Sequence, residues 1–234
     1  VAVDGQMAYL ELRIPDGDPY IIVNATDTVF NQRYSLPPYS YGLQTVVLCK
    51  YNLLTNQIEW LLRIGNVGFE ELIEMHVDEE HNLVILGSTN STYFFFHGMD
   101  TVMNNSDHNP FLAKYSSDGD LLLGIMNQHQ VFETATDLYI DRDNNYFIRS
   151  FYNGDKYQVE DTTMVSLPYN TNRYPSRGFI RKYNKLGEFQ WAWQLEGAFE
   201  VGPLYGIVAL NNDIVISGAF REGELYLGQD TFYN

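Results

Sequence analysis

The sequence predicts an all-β protein whose four-stranded antiparallel sheets stack as the blades of a β-propeller. Three observations support this. Tyrosine and phenylalanine are abundant, with 18 and 14 copies, one phrase recurs at a nearly constant spacing, and polar turns separate short apolar runs. Aromatic side chains suit pleated, half-buried strands better than helices. A regular period indicates repeated units that bury their apolar faces against one another.

The most regular phrase ends in Lys-Tyr. Its three copies cover residues 46–51, 111–115 and 179–183, and their lysines stand 64 and 68 residues apart. A polar turn and a second apolar run follow each copy, which is the signature of a β-hairpin. Another phrase joins an apolar residue and Asp to an Asn-rich turn and a further strand, as at residues 77–87 and 140–148. An extended segment with Asp-Thr closes each unit, at 27–28, 100–101, 161–162 and 230–231. With this segment, the phrases predict four strands in each unit.

The predicted units are a partial blade at residues 1–42, made of the last two strands, and three blades at 43–107, 108–176 and 177–234. About three and a half blades form an incomplete ring, so we expect the chain to be part of a larger polypeptide or assembly. A parallel β-helix is the competing architecture. Its rungs are shorter than this period and lack antiparallel hairpins, which favours the propeller.

The composition excludes several classes of partner. The formal net charge is −16, from 30 acidic and 14 basic residues, and such a surface repels nucleic acid and anionic lipid headgroups. No stretch reaches the roughly 18 apolar residues of a membrane span, so we expect no direct membrane insertion. A protein or glycan partner is consistent with this charge. The single cysteine, Cys49, excludes an intrachain disulfide and is predicted to be a packed thiol within a strand.

Three phrases taken together resemble the bacterial β-propeller repeat of the SBBP type. They are Phe-Leu-Ala-Lys-Tyr-Ser-Ser-Asp-Gly at 111–119, Ile-Asp-Arg-Asp-Asn-Asn-Tyr at 140–146 and Ser-Gly-Ala-Phe at 217–220. The resemblance spans nearly the whole chain, although Leu210 stands where Asp is usual. It implies an extracellular or cell-surface module of a large bacterial protein, with a binding, scaffolding or adhesive role and no known catalysis.

The sequence contains no nucleophile elbow, phosphate-binding loop or dinucleotide fingerprint, so we predict no catalytic or cofactor-binding residues. Weak candidates for a metal site are Asp141, Asp143 and Asn145, whose alternating oxygens begin like a Ca²⁺-binding EF-hand loop. Tyr146 and Tyr152 then stand where that loop requires Gly and Glu. A turn capped by Asp and Asn side chains is therefore favoured over a Ca²⁺ site.

The leading functional hypothesis is a non-catalytic binding or scaffold module. The alternative is a carbohydrate-active enzyme or a glycan-binding propeller with acidic residues at its central funnel. That alternative is suggested by three clustered acids: Glu70, Glu71 and Glu74. Tryptophan side chains can stack on sugar rings, but they pack in protein cores more often. Core packing is therefore the favoured interpretation of the three tryptophans: Trp60, Trp191 and Trp193. The long connection at 152–176 is the predicted contact surface.

Overall fold

The chain folds into short antiparallel strands joined by tight turns. The computed structural model describes residues 2–14, 20–23, 32–35, 45–65, 68–98, 101–104, 108–126, 132–153, 156–159, 162–165, 176–194, 196–197, 206–210, 213–217, 224–227 and 230–233. These residues form 23 strands and no helix. The all-β class predicted from the sequence is confirmed.

The strands, in chain order, are β1 (Ala2–Asp4), β2 (Met7–Ile14), β3 (Tyr20–Val23), β4 (Gln32–Ser35), β5 (Thr45–Asn52), β6 (Gln57–Ile64), β7 (Glu70–Val77), β8 (Leu83–Thr89), β9 (Tyr93–Phe94), β10 (Val102–Met103), β11 (Asn109–Tyr115), β12 (Leu121–Met126), β13 (Glu133–Ile140), β14 (Tyr146–Asn153), β15 (Lys156–Val159), β16 (Thr162–Val165), β17 (Ser176–Tyr183), β18 (Phe189–Gln194), β19 (Glu196–Gly197), β20 (Gly206–Leu210), β21 (Asp213–Ser217), β22 (Glu224–Leu227) and β23 (Asp230–Tyr233).

Three four-stranded antiparallel sheets repeat one plan. Sheet 1 has the order β1-β2-β5-β6, sheet 2 the order β7-β8-β11-β12 and sheet 3 the order β13-β14-β17-β18. Between the second and third strands of each sheet lies an inserted hairpin, namely β3–β4, β9–β10 or β15–β16. The pair β20–β21 and the hairpin β22–β23 then follow in the same order.

The sheets are offset from the units predicted by the sequence. Each sheet begins at the Asp-turn phrase and ends with the Lys-Tyr hairpin. The predicted limits at 42/43, 107/108 and 176/177 therefore fall inside sheets 1, 2 and 3. A period identifies the repeated strands, but it does not say which two neighbouring hairpins share a sheet, because both choices give the same spacing.

The repeat extends to irregularities of the backbone. The pairing register of each third strand shifts within its Lys-Tyr phrase, between residues 50 and 51, 114 and 115, and 182 and 183. A second shift recurs in the first strands of sheets 2 and 3. Because a bulge changes the local twist and side-chain direction, bulges at matching positions turn equivalent side chains the same way in each sheet.

Sheet 2 buries both of its faces. Leu83 and Ile85 of β8 pack in a cluster shared with sheet 1, whereas Val84 and Leu86 pack in a cluster shared with sheet 3. All four side chains have 0% exposure. Side chains of a strand alternate between the two faces, and burying each of them stabilises the fold by about 1.5–3 kcal/mol. Sheet 2 therefore lies between sheets 1 and 3, face to face with both.

The first strands of successive sheets are neighbours. Strand β1 contacts β7, β7 contacts β13, and β13 contacts β20. Since the sheets stack face to face, this contact brings together the ends of the first strands and the turns that follow them.

The turn between the third and fourth strands of one sheet rests on the fourth strand of the preceding sheet. A Cβ atom at Gly119 would lie 3.5 Å from Trp60 and Leu62 of sheet 1, and a Cβ atom at Gly187 would lie 2.5 Å from Leu123 of sheet 2. Both glycines have a positive φ, of 91° and 79°. The two turns thus use glycine for their backbone conformation, and the second also uses it for close approach.

Replacing these two glycines separates the cost of an unfavourable backbone conformation from the cost of a steric overlap between sheets. Gly119→Ala and Gly187→Ala each place a Cβ atom at positive φ, at a cost of about 1 kcal/mol. Only Gly187→Ala also overlaps the neighbouring sheet, so we expect it to lower the free energy of unfolding by roughly 1 kcal/mol more. Urea denaturation of the two variants measures the difference, and equal losses would contradict the stacking contact.

Candidate functional site

The turns that follow the first strands of sheets 1, 2 and 3 converge on a cleft of about 540 Å³. Its lining includes Asp4 of sheet 1, Asp78 and His81 of sheet 2, and Asp141 and Arg142 of sheet 3. Concave surfaces with a few convergent polar groups are where small ligands bind most often. This cleft is the candidate site, and its polar groups have distinct roles.

Asp78 is fixed in its turn and is not free to bind a ligand. Its Oδ1 accepts hydrogen bonds from the backbone N–H groups of Glu80 and Asn82, both at 2.9 Å. Its buried carboxylate also lies 2.7 Å from the Lys114 ammonium. Burial opposes ionisation of Asp78, but the hydrogen bonds from Lys114 and Asn82 outweigh it and lower the pKa of Asp78. The ionised pair therefore anchors the cleft wall.

Asp141 makes the equivalent turn in sheet 3. Its Oδ1 accepts hydrogen bonds from the backbone N–H groups of Asp143 and Asn145, at 2.9 and 2.8 Å, and its Oδ2 accepts one from Asn145 Nδ2 at 2.8 Å. The side chain of Asp143 is exposed. Within the described ranges, no group of three or more His, Cys, Asp or Glu side chains is arranged to hold a metal. These contacts favour the turn interpretation of the residues considered for Ca²⁺.

His81 links two of the turns. Its Nδ1 lies 2.9 Å from Asp4 Oδ2, and its side chain is 71% exposed. It has a φ of 62°, and Gly5 and Asn144 have similar values in the turns of sheets 1 and 3. The imidazole, the Asp4 carboxylate and the exposed Arg142 guanidinium offer both donors and acceptors to the cleft. This combination can bind a polar ligand.

A second polar cluster lies on the neighbouring first strands. Glu74 Oε2 accepts a hydrogen bond from the backbone N–H of Leu138 in sheet 3 and lies near His76 Nε2, both at 2.9 Å. Asp137 stands at the position of sheet 3 that Glu74 occupies in sheet 2, and it pairs with Arg149 at 2.5 Å. Burial raises the pKa of Asp137, Arg149 opposes this rise, and the negative charge of Glu74 adds to it.

The three glutamates suggested from the sequence therefore have different environments. Glu70 is fully buried and accepts hydrogen bonds from the hydroxyl groups of Thr89 and Ser91. Glu71 is half-buried. Glu74 alone belongs to the cluster with Asp137. The sequence identified Glu74, but not its partners from sheet 3, because those contacts join residues about 60 positions apart.

The predicted contact surface at 152–176 is described in part. Tyr157 and Val159 of β15 are buried in a cluster with Phe179, and the Tyr157 hydroxyl donates to the buried Glu133 carboxylate. Glu133 also pairs with Arg181 at 2.8 Å. The remaining residues of this segment lie outside the described ranges: 154–155, 160–161 and 166–175. The described hairpin thus packs against its own sheet.

Cys49 and Trp60 belong to the packed part of sheet 1. Cys49 is 1% exposed, and burial raises the pKa of its thiol to about 11. Because the thiolate is the nucleophilic form, this cysteine is unreactive at neutral pH. Trp60 packs against Tyr9 with ring centroids 5.9 Å apart. Both residues contribute to packing.

A scan against models of known protein families finds no match to this chain. A search of curated proteins finds no match either. Within its described ranges, the structure contains no helix with the length and apolar character needed to cross a membrane.

Asp78 and Asp141 form a matched pair for testing the cleft wall. We expect Asp78→Ala to lower the free energy of unfolding by about 3 kcal/mol, because the buried Lys114 ammonium then keeps only the more distant pairing with the exposed Glu80 carboxylate at 3.4 Å. Asp141→Ala removes turn hydrogen bonds only, since the lysine of sheet 3, Lys182, lies over the Phe147 ring. Asp141→Ala is therefore expected to lower the free energy of unfolding by less than Asp78→Ala does, and urea denaturation measures both values.

The pH dependence of the same variants gives a second measurement. Folding lowers the pKa of Asp78, so its contribution to stability is present above the unfolded pKa of about 3.9 and is lost as the pH falls through the folded pKa. Chemical denaturation between pH 7 and pH 3 should therefore show that the difference between wild type and Asp78→Ala narrows in acid. A constant difference would contradict this role for the Asp78 carboxylate.

Proposed function

We propose that the chain is a section of a β-propeller and serves as a non-catalytic binding or scaffold module of a secreted or cell-surface bacterial protein. The observation that carries the proposal is the contact between the first strands of successive four-stranded sheets. In a propeller these strands surround the central axis and the sheets stack on both faces. The resemblance of the repeated phrases to the SBBP type supports the surface location.

The cleft at the ends of the first strands is the proposed contact site for a protein or glycan partner. Its polar groups come from three sheets and are held on turns fixed by Asp78 and Asp141. Fixed groups lose little conformational entropy when a partner binds. The net charge of −16 favours partners that present hydroxyl groups or positive charge. Adhesion to a neighbouring surface is one role that such a site can serve.

Imaging the full-length protein tests the architecture. Electron cryomicroscopy should show the sheets as blades around one axis, with β1, β7 and β13 innermost. A straight stack of sheets or a parallel β-helix would contradict the proposal.

Binding measurements test the site. A glycan array and a panel of extracellular matrix proteins identify a ligand, whose affinity is then compared among variants. We expect Arg142→Ala and His81→Ala to weaken binding at least about five-fold each, since each removes a hydrogen-bonding group worth about 1 kcal/mol. Asp118→Ala, in an exposed turn outside the cleft lining, is the control and should bind like wild type. Equal affinity for all variants would exclude the cleft as the contact site.

One observation favours a carbohydrate-active enzyme as the second candidate. Asp137 has a raised pKa beside Glu74, and glycosidases use one carboxyl group of raised pKa with a second, ionised one. Release of reducing sugar from polysaccharides by the full-length protein, abolished in Asp137→Asn, would support this candidate. Such turnover would also overturn the binding-module proposal.

A further inference from the structure

Sheets 1 and 3 carry the same pair of side chains on equivalent strands. In sheet 1, Lys50 of β5 is paired in register with Trp60 of β6. In sheet 3, Lys182 of β17 is paired in the same way with Trp191 of β18. Both pairs lie on the sheet face that is directed towards the next sheet along the chain. In sheet 1, Trp60 packs against the cluster shared with sheet 2. In sheet 3, Tyr183, which is adjacent to Lys182 and so points to the opposite face, packs in the cluster shared with sheet 2.

In sheet 1 a turn of sheet 2 packs on the pair Lys50 and Trp60. Trp60 Nε1 and Lys50 Nζ both donate hydrogen bonds to the backbone carbonyl of Ser117, at 3.0 and 2.7 Å. Gly119 of the same turn lies beside the Trp60 ring. The occupant of this surface is therefore a glycine-containing turn between a third and a fourth strand.

In sheet 3 the equivalent surface is half-open. Lys182 is half-buried and lies over the Phe147 ring at 5.0 Å, whereas its counterpart Lys50 is 7% exposed. Trp191 and Trp193 are half-buried. Within the described part of the chain, no backbone carbonyl accepts hydrogen bonds from Lys182 and Trp191 as Ser117 does from their counterparts. Phe147 and Ile180, further along this face, are buried. Among the described residues, the part of this face without such an occupant is therefore the side formed by β17 and β18.

We propose that Lys182, Trp191 and Trp193 form a docking surface for a β-hairpin made of the third and fourth strands of this same repeat. The backbone carbonyl of the second residue of its turn, equivalent to Ser117, accepts hydrogen bonds from Lys182 and Trp191. The glycine of its turn lies on the Trp191 ring. The partner is defined by its chemistry: a Lys-Tyr strand, a polar turn with glycine and a second apolar strand.

The neighbouring strands offer a place for this hairpin. Strand β20 contacts β13, and β21 pairs with β20 alone among the described strands. In sheet 2, the third strand β11 pairs with β8, the strand equivalent to β21. A docked hairpin would pair with β21 in the same way and gain main-chain hydrogen bonds along one edge. This inference depends on the stacking of the sheets and is independent of any ligand of the cleft.

A synthetic peptide with the sequence of residues 109–126, the hairpin that fills the equivalent surface of sheet 1, tests the proposal. Titrated into the chain, it should produce a saturable change in tryptophan fluorescence. Trp191→Phe retains an aromatic ring but removes the N–H donor, and we expect it to weaken binding about five-fold. Trp60→Phe makes the same chemical change at the filled surface and is the matched control. It should leave the affinity unchanged.

A second arm removes the requirement that the free peptide forms a hairpin. The same 18 residues, joined to the C-terminus of the chain by a flexible Gly/Ser linker, act at a high effective concentration. The tether should raise the melting temperature, and Trp191→Phe should reduce that gain whereas Trp60→Phe should not. No gain with the tethered hairpin, or equal effects of the two variants on the gain, would overturn the proposal.

Discussion

The structure depends on the burial of both faces of its four-stranded sheets. Alternating residues of β8 pack towards sheet 1 and towards sheet 3, so sheet 2 requires a neighbour on each side to keep its apolar side chains from water. A single sheet of this repeat has too little core of its own, and stability comes from the contact between sheets. The position of the cleft, which is lined by turns of three sheets, follows from this stacking.

Stacking also turns a local feature into a shared site. Each first strand ends in a turn held by an aspartate or a glycine, and on its own such a turn is ordinary surface. Because the first strands are adjacent, the three turns form one cleft, and His81 contacts Asp4 across 77 positions of sequence. The anchoring ion pair of Asp78 and Lys114 lies behind the cleft wall, which leaves the more exposed His81 and Arg142 available for a partner.

Part of the site was accessible from the sequence. The alternating oxygens at 141–145 indicated a turn capped by Asp and Asn, and the hydrogen bonds of Asp141 agree with that interpretation. The link between His81 and Asp4 and the cluster of Glu74 with Asp137 were not predicted. Both join residues of different sheets, and the recurrence of the Asp-turn phrase was the signal that could have placed them at one end of the stack.

The sequence by itself determined the Lys-Tyr hairpins, the strand that follows each Asp turn and the repeat, because apolar alternation and turn residues act over a few neighbouring positions. It did not determine the strand before each Asp turn, and the Asp-Thr segments predicted as fourth strands lie, where they are described, in the separate hairpins. It did not determine which hairpins share a sheet, because either phasing preserves the period of the Lys-Tyr phrases. Tertiary structure decided that each sheet begins with the Asp-turn phrase, and it decided which side chains meet between sheets. The physical reason is that hydrogen-bond pairing and face-to-face burial join residues distant in the chain, whose mutual position no local pattern encodes.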